Sequence, residues 1–559
     1  MTVAPTETDA THGLRDSGTA GDSITLAAWT LVSRATGVFK IAAIGAVLGP
    51  TFFGNAYQFT NALPNLIYFG FLAGSMFSSL LVPALVRHID AGDREASERV
   101  VGGFLGLTLV ALLAVLPLAI LLGPLVLKLA TLGGTASGGD AHAQVGVGFW
   151  LILMFVPQVF LYGVVGAATS AMNARQHFAL AAAAPALENI GIIAVLGTCA
   201  ALFGTGTKVA DVSRAELLLL GLGTTGAVAL HAATQWWGAN RAGATLVPRA
   251  GWRDPEVRVV VRRALPSLAQ AGLLALQVLT VLALADRVEG GVVAFQIALN
   301  FYFLAIALGA TPVALSLLPR LSRMHADDDV DGFRDALRHG FALGLFIAIP
   351  GAVGYLGLSI PMARAISFGR MSAPHAVALV ASSLAALAVA VIAQTVFMIA
   401  TYASYARKDT RSPLVSMVLQ AVTCLTLAST SLLVHGTAVL AVLGLAFSVS
   451  IGVAALHQSI HLRRQLGSAR DRLAPSIART TAGAAAMIGP AWLTATVVLK
   501  LIGRPLGERV GILAAAAVGG LLFVIVQATL RTPELAWLSS GLNHLRRRAG
   551  PSLAEALDA

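Results

Sequence analysis

Charge is scarce in this chain. Only 12% of its 559 residues are charged, against 57% hydrophobic, whereas a soluble domain has about 25% charged residues. With a mean hydropathy of +0.79, this excludes a soluble globular protein and leaves a polytopic membrane protein. Cysteine is nearly absent. Cys199 and Cys424 lie far apart inside apolar runs, which excludes a disulfide framework or a cysteine metal site. The chain also lacks a P-loop, a His/Cys cluster at metal spacing, and paired carboxylates at helical spacing, so neither an enzyme site nor a cofactor is expected. Residues 1–23 contain acids and lack the basic-then-apolar order of a signal peptide; they read as a disordered cytosolic tail.

What the chain does have is apolar runs of membrane-spanning length. Counting them gives about fourteen helices, with the second predicted over 54–86 and the eighth over 290–319. The excess of 38 Lys+Arg over 27 Asp+Glu falls in alternate short loops: Arg87 to Arg99, Arg241 to Arg263, Arg320 to Arg338, Arg407 to Arg411 and Arg463 to Arg479. By the positive-inside rule both termini are cytosolic, and topology explains the charge better than a nucleic-acid partner does.

An internal repeat fixes the architecture. Leu81-Val82-Pro83 followed by Arg87 and an acidic turn is echoed by Leu317-Leu318-Pro319 with Arg320, Arg323 and Asp327-Asp328-Asp329. Ala56-Tyr57-Gln58 is echoed by Ala294-Phe295-Gln296, and Asn173-Ala174-Arg175 by Tyr405-Ala406-Arg407. Six spans therefore occur twice in the same orientation, which predicts an all-α membrane protein of two six-helix lobes around a central cavity, with two further helices. The expected divisions are an N-lobe over 24–240, a cytosolic linker over 241–262, a C-lobe over 263–462, two last spans within 463–530, and a cytosolic tail over 531–559.

Polar groups inside the apolar runs are the candidates for function, because each is costly in hydrocarbon. Arg34 lies about 15 Å into the first span and Lys40 about 9 Å further. Their spacing does not put them on one narrow face, although long side chains can converge on a wide cavity; two cations there suit an anionic ligand, and snorkelling to either surface is the competing reading. Asn55, Asn65 and Asn300 are further candidates for the cavity wall. Pro64, before Asn65, favours a kink, and Gly74 follows at a spacing consistent with either a hinge or close helix packing. Glu188 is the one carboxylate well inside a membrane run, a candidate ion or proton site. His231, His457 and His461 are isolated and read as packed or interfacial residues.

The order Ser33-Arg34-x-x-Gly37, Asn55-Ala56, Pro64-Asn65, Gly74 and Val82-Pro83 resembles the opening of the MurJ/MviN lipid II flippases of the MOP exporter superfamily. Asn173, Phe178, Ala184-Pro185 and Asn189 are similar to that family's fourth and fifth helices. Leu317-Leu318-Pro319-x-Leu321-Ser322, Phe368-Gly369-Arg370 and Tyr405-x-Arg407-x-Asp409-x-x-Ser412-Pro413 extend the likeness over nearly the whole chain. The resemblance implies a two-lobed transporter of the bacterial cytoplasmic membrane that flips a polyprenyl-pyrophosphate-linked glycan by alternating access. It also implies that the last two helices form a groove for the lipid tail. Embedded arginines hold the pyrophosphate in that family. Arg34 matches the first, Lys40 stands at the second, Tyr68 where a third is expected, and Asn300 near the second lobe's arginine. Asn55 replaces a frequent Asp, and Ala73 a Glu.

The expected function is thus transport of an undecaprenyl-pyrophosphate-linked precursor, lipid II or a related glycan, with Arg34 and Lys40 on the pyrophosphate. Asn55, Asn65, Tyr68 and Asn300 would line the cavity. Ion coupling would involve Glu188, and membrane lipids are the other partners. A drug or cation antiporter and a non-transporting scaffold for envelope assembly are the alternatives.

Overall fold

The computed structural model describes residues 7–68, 81–131, 138–467 and 473–537, and among them it contains helices and no strands. In hydrocarbon every backbone polar group must be satisfied within its own segment, and the apolar runs therefore fold as helices. The first half comprises α1 (Glu7–Leu48), α2 (Phe52–Tyr68), α3 (Val82–Asp90), α4 (Arg94–Thr131), α5 (Gly138–Ala174), α6 (Phe178–Phe203) and α7 (Arg214–Arg241). The second comprises α8 (Pro255–Ala285), α9 (Gly291–Leu308), α10 (Ala310–Ala326), α11 (Val330–Gly357), α12 (Ser359–Ile366), α13 (Pro374–Ala406), α14 (Arg411–Ser429) and α15 (Thr437–Leu466). Helices α16 (Leu473–Ile502) and α17 (Leu506–Thr529) complete the bundle.

Thirteen segments of the described residues are long and apolar enough to cross a membrane. The expected second span, 54–86, contains residues 69–80, which lie outside the described residues, and Gly74 with them. Two expectations need correction. The tail expected to be disordered is helical from Glu7 onward. No proline interrupts Glu7–Leu48, and extending a helix that the membrane span has already nucleated costs little per residue. The eighth span, expected as one helix, is broken at Gly309 between α9 and α10.

The repeat is visible in the contacts. Helix α1 packs on α6 as α8 packs on α14, α5 on α7 as α13 on α15, α2 on α5 as α9 on α13, and α4 on α5 as α11 on α13. Helix α17 turns a stripe of Gly507, Gly511, Ala515 and Gly519 inward against Ala491 and Ala495 of α16, since small residues let two membrane helices approach closely. Their outer faces are apolar, with Leu501 80% and Leu513 71% exposed.

Where the lobes touch decides the state of the molecule. At the end carrying the basic loops there are two cores: Leu85, Phe104 and Met172, joined by Val257 at the start of α8, in one, and Leu321, Phe333 and Leu462 in the other. At the opposite end, one core takes residues from both lobes, including Ile41, Phe59 and Ile152 beside Phe295 and Leu440. The segment between the lobes is strapped to the first: Arg249 N–H donates to Gly102 O at 2.8 Å. A Cβ at Gly106 would lie 2.0 Å from Arg249 O, so only glycine lets the chain pass there.

Candidate functional site

Arg34, Val38, Ile41 and Gly45 recur at helical spacing and share one face of α1. At its far end this face meets the second lobe. Ile41 belongs to the shared core, and a Cβ at Gly45 would touch Met371 and Ile297. Arg34 stands on the same stripe about 10 Å nearer the basic end, where the two cores are separate, and it is exposed there. Arg34 is thus an exposed cation on the stripe that, further along the helix, meets the second lobe.

Lys40 belongs to the adjacent stripe, with Ser33, Thr36 and Gly37, which faces α6. Asn189 Nδ2 donates to Ser33 O at 3.3 Å and to Thr36 Oγ1 at 3.1 Å. Lys40 Nζ lies 4.0 Å from Glu188 Oε1, with 17% of its side chain exposed. Glu188 is buried among three elements. Its Oε1 accepts from the Tyr162 hydroxyl of α5 at 3.0 Å, and its Oε2 pairs with His231 Nδ1 of α7 at 2.8 Å. The two cations are not brought together; Lys40 turns into the first lobe while Arg34 is exposed on the neighbouring stripe. His231, read from sequence as an isolated packing residue, is a partner of the buried carboxylate. The only sequence signal for that pairing is a lone histidine and a lone carboxylate in consecutive apolar runs, and helix rotation decides whether they meet.

Asn55 is fully buried rather than set on an open cavity wall. Its Nδ2 donates to Val288 O at 2.8 Å and its Oδ1 accepts from Val292 N–H at 3.0 Å, joining α2 to the turn between α8 and α9. The same turn carries Asp286, whose carboxylate accepts from Gln144 Nε2 of α5 at 2.8 and 2.9 Å. Burial pushes the Asp286 carboxyl up to about 7, against the opposing hydrogen bonds of Gln144 and Asn55. Gly290 packs so tightly on Pro50 that a Cβ would come within 2.4 Å. Arg370 reaches from the turn before α13 to donate to Thr205 Oγ1 of the first lobe at 3.3 Å. These groups close the end opposite the basic loops. Sequence reasoning missed Gln144 and Asp286, because neither lies within a motif.

The remaining candidates are placed as follows. Asn65 Nδ2 donates to Asn61 O at 3.2 Å, one turn back on its own helix, and α2 continues through Pro64 to Tyr68. Tyr68 ends the described part of α2, and its side chain is outside the described residues. Asn300 is half-buried, donating to Gln296 O on its own helix at 2.9 Å. In the second lobe, the groups on α14 and α15 are neutral or lie at its basic end. Ser416 bonds His457 and Gln458, and Asp409 holds the start of α14 through Arg411 N–H, Ser412 N–H and the Ser412 hydroxyl. These bonds keep the Asp409 carboxyl below its usual range, despite partial burial that raises it.

A family model described as "Lipid II flippase MurJ" matches residues 44–504. A probable lipid II flippase MurJ of Vibrio cholerae is 24% identical over 446 residues, which cover 79% of this chain and 82% of that protein. The lipid II flippase MurJ of Burkholderia cenocepacia is 24% identical over 396 residues, 70% of this chain and 74% of that protein. Among solved structures, a lipid II flippase MurJ in an inward closed conformation superimposes with a TM-score of 0.69 at 16% identity. That match covers 91% of this chain and 98% of the other. An inward-facing multidrug resistance MATE family transporter of the MOP superfamily gives 0.62 at 15% identity, over 79% and 98%. At such identities the structures show the shared fold alone. The family match spans well over half of the 559 residues, and this chain belongs to the MurJ lipid II flippase family.

Proposed function

We propose that this protein carries lipid II, or a closely related polyprenyl-pyrophosphate-linked glycan, across the bacterial cytoplasmic membrane by alternating access of its two lobes. The observation that carries this reading is Arg34, an exposed cation on the α1 face whose continuation at Ile41 meets the second lobe. An exposed cation placed inside a membrane span is retained at a cost that an anionic ligand offsets, and a guanidinium suits the paired oxygens of a pyrophosphate. Lys40, about 9 Å along the same helix, is the second cation of the headgroup site. Asn65 and Asn300 line the path, with Pro64 as its hinge. The basic loops place their end of the molecule in the cytosol, with both termini there, so the cleft opens to the side where the precursor is made. Asn55 belongs to the closed outer end and is exchanged for water when that end opens. Helices α16 and α17 offer an apolar surface for the polyprenyl tail.

The test is transport of labelled lipid II into the outer leaflet of proteoliposomes. Arg34→Ala is expected to abolish it while the protein remains inserted and folded; transport at the wild-type rate by this variant would remove the central claim.

A further inference from the structure

The cluster around Glu188 has two features that holding helices together does not require. Lys40 sits at 4.0 Å, beyond hydrogen-bond distance, and its partial exposure lets it reach outward. His231 is buried and bonds Glu188 through Nδ1, while its Nε2 has no hydrogen-bond partner among the described residues. The titratable groups that face Glu188 are Lys40 from α1, Tyr162 from α5 and His231 from α7. Tyr57 of α2 lies within electrostatic reach, its hydroxyl bonded to Thr224.

The Lys40 ammonium and the Glu188 carboxylate balance one another in the cluster. If a pyrophosphate draws the Lys40 ammonium toward the cleft, the carboxylate is left buried without its cation, a costly state. The Glu188–His231 pair has a ring nitrogen with no hydrogen-bond partner among the described residues and can restore neutrality by taking one proton. We propose that headgroup binding and proton uptake are coupled here: when the pyrophosphate engages Lys40, the Glu188–His231 pair binds one proton, and it releases that proton when the headgroup leaves and Lys40 returns. This rests on the reading of Lys40 as a headgroup ligand. A metal ion is a poor substitute for the proton. The Lys40 ammonium already stands beside the carboxylate, and among the described residues no three His, Cys, Asp or Glu side chains gather to ligate one.

The experiment is calorimetric titration of the full-length protein in detergent with lipid II, in buffers of different ionisation enthalpy. The diester pyrophosphate of lipid II has no proton to exchange near neutral pH. Wild type is expected to take up close to one proton per lipid bound near pH 7. Its affinity then falls as pH rises, by up to about tenfold per unit, the factor that one linked proton imposes. Glu188→Gln keeps the shape and an acceptor, and is expected to bind lipid II with no net uptake and a flat pH profile. His231→Gln is expected to reduce the uptake as well, and Asp286→Asn to retain it. Absence of uptake in wild type between about pH 6 and 8, or uptake that survives Glu188→Gln, overturns the coupling alone. Failure of wild type to bind lipid II at all overturns the transport reading, and the coupling with it.

Discussion

Removing the Asn55 amide should unlatch the outer end of the protein. In Asn55→Ala the Val292 N–H, in a residue with no exposed surface, loses its acceptor. Val288 O loses one donor but keeps Gly291 N–H at 2.8 Å. A buried donor left unsatisfied costs about 1–3 kcal/mol and a hydrogen bond removed from a satisfied acceptor about 0.5–1.5. The sum is about 1.5–4.5 kcal/mol against the closed outer end, because both groups are hydrated once the lobes part. Even its lower end shifts the closed-to-open ratio by about tenfold, at about 1.4 kcal/mol per factor of ten. The assay is pulsed electron spin resonance between labels at Asp211 and Ser372, exposed positions at this end of the two lobes, in a background where the buried Cys199 and Cys424 are replaced by serine and alanine. Wild type should give a short, narrow distance distribution, and Asn55→Ala a second, longer population. An unchanged distribution in a folded variant would refute the assignment of Asn55 as the latch.

Further outcomes follow from the same contacts. In the closed form Asp286 holds its proton up to about pH 7, against an ordinary value of 3.8 once hydrated. The closed form therefore carries the extra proton between these values, and the short-distance population should grow as pH falls from about 7 toward 4. Asp286→Asn should flatten that dependence; a slope that persists in the variant assigns it to another group. Lys40→Ala leaves the buried Glu188 without its cation, and removing one partner of such a pair costs about 3–5 kcal/mol, with the lower end expected here because His231 and Tyr162 remain bonded to the carboxylate. The double variant Lys40→Ala with Glu188→Gln should recover most of the lost thermal stability in detergent. Strictly additive losses would show that the two side chains are not coupled.

Several motifs that were legible only as letters have structural reasons. The Tyr405 to Pro413 stretch is a tight turn in which Lys408 adopts a φ of 62° and Asp409 caps the start of α14. Phe368-Gly369-Arg370 is an outer contact: Gly369 has a φ of 51°, a Cβ there would lie 2.7 Å from Ala46 O, and Arg370 bonds Thr205. Asn189 ties α6 to α1 beside Arg34. Each serves the scaffold around the cleft.

Hydropathy, loop charge and the doubled motifs were enough by themselves to determine a membrane-spanning helical bundle, its two repeated lobes and its appended pair of helices. The reason is physical: length in hydrocarbon, backbone satisfaction and charge at the interface are properties of segments, and a segment is contiguous in sequence. Arg34 and Lys40 could be singled out in the same way, as cations where hydrocarbon penalises them. Only the tertiary structure decided that they face different ways, that Lys40 and His231 meet on Glu188, and that Asn55 latches two lobes to which Asp286 and Gln144 also contribute. Those outcomes depend on helix rotation and on contacts between residues more than a hundred positions apart, such as Asn55 with Val288 and Gln144 with Asp286, which no local pattern encodes.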